Sequence, residues 1–271
     1  MVYISVALGL EAKPIINYFK LKKDINIKKF QVFRNENITL IITGVGIIKS
    51  LIAITHIFTL DEVNNNSYLF NIGVCGSSKF EIGKIILANK VVDSENKIKF
   101  YSDIIVEHNF IEGSLESFNE VINDKEKIRY DIVDMEGAGV AKAGTYFLDN
   151  SRIFIIKIVS DNLENNVDYR NIEKLISDSI FLINKFIKSI LKIQQNFNTQ
   201  YTEKEIEIIN NFLEKIHFTE SMKNELLNLF KYYKNCDKDI VEILEKYMEI
   251  EIMNKNEVKK IINEIRKQII E

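Results

Sequence analysis

Five apolar runs, each ending in glycine, small or acidic residues, constrain this chain of 271 residues more than anything else in it. Residues 2–8 (VYISVAL, before Gly9), 38–43 (ITLIIT, before Gly44), 67–76 (SYLFNIGVCG), 84–93 (KIILANKVVD) and 153–161 (IFIIKIVSD) read as buried strands. Helical spacing fills much of the chain between them. A short helix is expected from about Glu11 to Phe19, with Pro14 tolerated in its first turn, another over 47–60 and a third over 136–148. From Asp168 onward Ile172, Leu175, Ile176, Ile180, Ile183, Ile187, Ile190 and Leu191 keep the helical period and predict a long helix over one face of a sheet. Asn35, Glu36 and Asn37 supply the turn of a hairpin joining 30–34 to 38–43. Ile132 to Met135 look like a strand end, and between 100 and 129 only a strand near 110–113 stands out. Strands alternating with helices over residues 1–195 predict an α/β domain with a parallel or mixed sheet.

Near Gln195 the pattern changes. QQNFNTQYTEKE is a polar linker, and Thr202 three residues before Glu205 is a capping-box signal. The stretch 202–271 shows no strand and reads as helices over 203–216, 219–233, 237–250 and 255–270, with Thr219 and Asp237 as N-caps. The expected organisation is therefore an α/β domain over 1–196 and a small all-α module over 202–271. The module's apolar positions (Ile206, Ile209, Phe212, Leu213, Ile216; Leu226, Leu227, Phe230) suit helix packing better than catalysis. A net charge of −3 without a basic stretch argues against a nucleic-acid partner. Cys75 and Cys236 are too few for a disulfide framework, and His56, His108 and His217 lack zinc spacing, so no metal is expected. No signal-peptide pattern opens the chain and no apolar run reaches about 18 residues, so a cytoplasmic protein without a membrane partner is expected.

In α/β folds ligands sit at the carboxyl ends of strands. Gly9–Glu11, Gly44–Gly46, Gly73–Gly76, Met135–Glu136 and Ser160–Asp161 all fall at such ends, which points to one site. Gly44-Val45-Gly46 lacks the third glycine of a dinucleotide turn, Lys49 holding that place. It fits either a tight turn or a set of backbone N–H groups facing a polar ligand. Glu11 and Glu136 stand at helix starts, where the dipole favours an acid, and Asp161 beside Ser160 and Asn162 could cap a turn. Residue types alone leave the plain and the chemical roles both open.

DIVDMEGAGVAKAG followed by KIVSDN resembles the V-x-M-E-x-x-x-x-A and S-D pair of the nucleoside phosphorylase/nucleosidase family, which includes 5'-methylthioadenosine/S-adenosylhomocysteine nucleosidases and the purine and uridine phosphorylases. VALGLEAKPI is similar to its opening strand and Glu-bearing loop, ITGVGIIKS to its G-x-G turn, and NIGVCGSSKFEIGKIILANKVVD to its central strand pair. The resemblance covers about residues 2–190 in order and leaves 197–271 aside. It implies a three-layer α/β/α fold with a central mixed sheet, to which the helical module is an addition. It also implies cleavage of the N-ribosidic bond of a purine, adenine-type nucleoside, no cofactor, and a homo-oligomer.

The roles it implies agree with the residue types. Asp161, next to Ser160, would protonate the purine at N7; such a donor must hold its proton near neutral pH, and burial at an apolar strand end works in that direction. Glu136 would accept hydrogen bonds from the ribose hydroxyls and face the developing sugar cation. Asp134 would be left as a structural acid. Met135 would pack on the sugar, Phe118 is the candidate for stacking on the base, and Glu11 would act as base on the attacking water. Where the family often carries a Ser or Thr for phosphate or water, Val74 stands, and no arginine lies near Gly9, Gly44 or Gly73. The balance leans to water over phosphate as the second substrate.

Overall fold

The computed structural model describes residues 1–64, 67–122, 124–163, 169–198, 201–216, 218–235, 239–248 and 255–270. Asp168 and Asp237, expected at helix starts, and His217 and Cys236 lie outside the described residues. The chain divides into two compact units, Met1–Ser189 and Ile190–Glu271.

The first unit is built on a ten-stranded mixed sheet. In chain order its strands and helices are β1 (Val2–Val6), α1 (Gly9–Phe19), β2 (Lys22–Lys23), β3 (Gln31–Arg34), β4 (Ile38–Ile42), α2 (Ile47–Leu60), β5 (Tyr68–Gly76), β6 (Ile85–Asp93), β7 (Lys99–Tyr101), β8 (Ile111–Ser117), β9 (Ile132–Asp134), α3 (Gly137–Gly144), β10 (Ile153–Asp161) and the start of α4 (Tyr169–Asn198). The strand order is β10-β6-β8-β9-β5-β1-β4-β3-β2, and β10 also pairs with β5, so five strands close on themselves while β1 to β4 extend the sheet. Strands β1, β4, β5 and β10 run parallel, whereas β9 is antiparallel to β5.

The apolar runs form strands because both faces of the sheet are covered. Side chains alternate along a strand, so neighbours on β10 meet different layers. Phe154 packs edge-on against Phe186 of α4, while Ile153 and Ile155 join a cluster with Ile54 and Ile57 of α2 and Ala141 of α3. α1 joins the α4 layer through Lys13–Glu173 and Tyr18–Asn184. The result is the expected α/β/α arrangement. The hairpin turn works through Asn35, whose side-chain oxygen accepts from the amides of Asn37 and Ile38 at 2.9 and 2.8 Å. Two of the expected elements differ in their bounds or details. α1 begins at Gly9, so Pro14 is the sixth helical residue rather than part of the first turn, and it removes one interior donor. The strand expected near 110–113 is longer, Ile111–Ser117, because its second half is buried between β6 and β9.

The second unit contains α5 (Glu203–Lys215), α6 (Glu220–Asn235), α7 (Ile240–Met248) and α8 (Lys255–Ile270). Thr202 and Glu205 form the capping box, with Thr202 donating its amide to Glu205 at 2.6 Å. Thr219 accepts from the Met222 amide at 3.4 Å at the start of α6. Phe212, Leu226, Phe230, Leu244 and Ile265 form the module's own core. Among the described residues no helix is long and apolar enough to cross a membrane.

Candidate functional site

The carboxyl ends of the parallel strands β1, β5 and β10 meet the end of β9 at one cavity. It is lined by Ala7, Leu8 and Glu11 after β1, Val74 to Gly76 on β5, Val133 to Glu136 at β9, and Ser160, Asp161 and Leu163 at the end of β10. About 120 Å³ is open to the centres of water-sized spheres, roughly ten times what one water needs, so the space suits a small molecule.

Glu11 is 2% exposed, and both of its carboxylate oxygens accept backbone hydrogen bonds. One carboxylate oxygen accepts from the amides of Ala7 and Leu8, both at 2.9 Å, and the other from Val74 at 3.0 Å. Burial holds its pKa above the ordinary glutamate value, with the Lys157 ammonium and the three amides offsetting only part of the rise.

The DMEGAG stretch folds as a strand end, a turn and a helix start. β9 stops at Asp134, and Glu136 is the N-cap of α3. Gly139 explains the run of small residues: a Cβ there would stand 2.1 Å from the Ile47 carbonyl oxygen and 2.3 Å from Ser50 Oγ of α2. That close approach brings the Gly46 amide to Glu136 Oε1 at 2.9 Å and Ser50 Oγ to the Glu136 carbonyl at 3.1 Å. Glu136 is 7% exposed, and burial together with the neighbouring Asp134 charge pushes its pKa up to about 7. Asp134 has the structural role expected of it. It accepts from Ser117 Oγ at 2.5 Å and from the Gly137 amide at 2.8 Å, and it pairs with Lys157 at 2.7 Å.

Lys157 is the residue that reading the sequence did not single out. It is 1% exposed on β10 and carries the sole charge in an otherwise apolar strand before Asp161, which was the available signal. Burial opposes its charge, but Asp134 and Glu136 outweigh that and hold its pKa above the ordinary lysine value. One ammonium thus sits beneath three acids.

Asp161 reaches the cavity through a bulge. Val159 pairs with Cys75 and Asp161 with Gly76, so Ser160 is an extra residue and Asp161 turns to the face opposite Val159. Its carboxylate accepts from Ser160 Oγ at 2.7 Å and from the Leu163 amide at 3.1 Å. It is partly exposed at the cavity wall rather than enclosed in the core as its strand suggested. Cys75 also lines the wall, and burial pushes its thiol up, so it is a neutral group there.

Met135 lines the cavity with Glu136. Phe118 does not: it lies in a separate polar hollow with Lys97, Lys127 and Arg129, because β8 ends at Ser117 and the chain turns there. Val121 and Ile122, three and four residues on, take the wall in its place. The backbone N–H groups of Gly44 and Gly46, one of the two readings of that turn, are engaged within the protein, and so is the amide of Val74. Gly44 donates to the Ala7 carbonyl at 3.1 Å, Gly46 to Glu136 and Val74 to Glu11. Tyr169 and Ile172 of α4 complete the lining, together with Val45 and Glu120.

No family model matches the sequence, and no curated protein does. Solved structures match by shape. A Helicobacter pylori 5'-methylthioadenosine/S-adenosylhomocysteine nucleosidase with butyl-thio-DADMe-Immucillin-A superposes with a TM-score of 0.59 at 19% identity, over 70% of this chain and 97% of that one. An Arabidopsis thaliana 5'-methylthioadenosine nucleosidase gives 0.59 at 16% identity over 70% and 95%. A Helicobacter pylori futalosine hydrolase gives 0.59 at 19% over 70% and 97%. Five closed strands, the carboxyl-end cavity and these superpositions together show that this chain has the fold of the nucleoside phosphorylase/nucleosidase family.

Proposed function

We propose that the protein cleaves the N-ribosidic bond of an adenine-type purine nucleoside by hydrolysis. The observation that carries this reading is that Glu11, Glu136 and Asp161, from three separate strand ends, line one cavity of small-molecule size. Solved structures of the same fold include nucleosidases of 5'-methylthioadenosine.

Asp161 gives its proton to N7 of the leaving base, while Ser160 Oγ and the Leu163 amide hold its carboxyl group in place. Glu136, fixed by Gly46, accepts from the ribose hydroxyls, and its charge stabilises the oxocarbenium-like sugar. Glu11 takes a proton from water as the water oxygen bonds to the anomeric carbon and the carbon–nitrogen bond breaks. The water hydroxyl goes to the sugar; its proton leaves Glu11 for solvent, from which Asp161 regains the one given to the base, so the net reaction divides one water between base and sugar. Lys157, below Asp134 and Glu136, supplies the positive charge that keeps neighbouring acids from repelling each other's ionised forms.

Hydrolysis is preferred to phosphorolysis on charge. The described residues lining the cavity include Glu11, Glu120, Asp134, Glu136 and Asp161 and no lysine, arginine or histidine. A phosphate dianion would meet acids, with Lys157 already paired. A homo-oligomer remains part of the reading, through the exposed apolar residues Val45, Ile48 and Ile52.

The test is release of free base from adenosine, inosine and 5'-methylthioadenosine, followed by chromatography with and without phosphate. Base release that does not respond to phosphate is the expected result. Release that requires phosphate overturns the choice of water, and no release from any of the three overturns the activity.

A further inference from the structure

Among the described residues Leu163 is one of four non-glycine residues with positive φ, at 66°, and it is the one among them that lines the cavity. A leucine in the left-handed region crowds its own Cβ against the backbone, so such residues persist only where their surroundings hold them. Two contacts hold this one. Its amide donates to Asp161 at 3.1 Å, closing a turn on the carboxylate. Its side chain, 2% exposed, is wedged over Gly76, where a Cβ would stand 2.2 Å from Leu163 Cδ2 and 3.0 Å from Asp161 Oδ1. The chain thus leaves a glycine bare and strains a leucine for a single contact beside Asp161. The amide bond to Asp161 needs only the backbone, and glycine would provide it without strain. The isobutyl group is therefore there for what it fills.

We propose that Leu163 is a specificity-determining residue that closes the space beside the group bonded to Asp161, so that the site takes the unmodified edge of adenine and rejects bases made bulkier beside N7. The inference rests on the reading that Asp161 faces the base. The atoms flanking N7 are C8 and the exocyclic group on C6, so these are the positions the wedge restricts. An apolar wall discriminates by volume, and one methyl group against such a wall changes affinity by roughly 10- to 200-fold.

The experiment is calorimetric binding of adenine, 8-methyladenine and N6-methyladenine to wild type, Leu163→Ala and Leu163→Gly, each first checked for a cooperative melt. Leu163→Gly also removes the left-handed strain, so at least one variant retains the fold if the alanine variant does not. The wild type is expected to prefer adenine to at least one methylated base by about tenfold or more, and both variants to reduce that preference by a similar factor. An unchanged preference in the folded variant overturns the inference. Binding without cleavage in the wild type leaves the wedge supported and removes only the hydrolase reading. Failure of the wild type to bind adenine removes both.

Discussion

Replacing Lys157 by methionine tests the electrostatics of the site most directly. Both side chains of the Lys157–Asp134 pair are 1% exposed and 2.7 Å apart. At an effective dielectric of about 20 their attraction is about 6 kcal/mol before desolvation. Removing one partner leaves Asp134 uncompensated beside Glu136 and Glu11, and losses of about 3–5 kcal/mol are usual for such a cut. In a unit of this size that is roughly 6–20 °C in melting temperature. The pH dependence has a definite sign. Lys157, its pKa held above the ordinary lysine value, is charged throughout the range from pH 5 to 8. In the variant the acids, Glu136 already at about 7, are raised further in the folded state. Groups raised in this way favour the folded state below their unfolded pKa and lose that advantage as pH climbs through the folded value. The deficit of Lys157→Met is therefore small near pH 5 and large at pH 8. Thermal melts of both proteins at the two pH values measure it, and adding Asp134→Asn should recover part of the loss at pH 8. A variant that melts within about 2 °C of wild type at pH 8, or a deficit equal at both pH values, refutes the picture of one cation balancing three acids.

Other outcomes follow from the same geometry. Asp161→Asn should lower kcat by roughly 10²- to 10⁴-fold while leaving the melt within a few degrees, and unchanged turnover would remove Asp161 from the chemistry. Because the ribose grip needs ionised Glu136, kcat/KM should fall about tenfold per pH unit below about 7; a flat profile from pH 5.5 to 8 contradicts that role. Gly139→Ala forces a Cβ to within 2.1 Å of the Ile47 oxygen, so it should destabilise by about 1–3 kcal/mol in urea titrations and weaken base release by loosening Glu136. An alanine variant as stable and active as wild type would mean that α3 shifts without consequence.

Much of the fold was legible because its signals are local. The strands at 68–76, 85–93 and 153–161 and the helix at 47–60 are long apolar runs bounded by small residues, and they stand where periodicity puts them. The edge pieces Lys22–Lys23 and Lys99–Tyr101 were invisible, being two and three residues long with their pairing set by partners far along the chain. The site was legible as a set of strand ends, yet its orientations were not. Period two alone would turn Asp161 to the side of Val159; the bulge at Ser160 reverses this, and only the register against β5 reveals it. Phe118 drew attention as an aromatic, whereas a turn after Ser117 gives the wall to Val121 and Ile122. Gly44 and Gly46 could be read as a tight turn or as ligand-facing amides, and the choice rests on the Ala7 carbonyl and Glu136 carboxylate that take their donors, partners that sequence order does not bring together.

The three amides on Glu11 have a consequence beyond the active site. Ala7 and Leu8 follow the end of β1 and Val74 lies on β5, so this carboxylate is a rivet between two parallel strands as well as the base proposed for the attacking water. Glutamine cannot substitute for it. Its oxygen can serve one side, but its NH₂ must then confront another N–H, and two donors face to face push the strand ends apart. The proposed chemistry and the scaffold meet at one side chain, and the strand ends keep their spacing only while residue 11 keeps both oxygens.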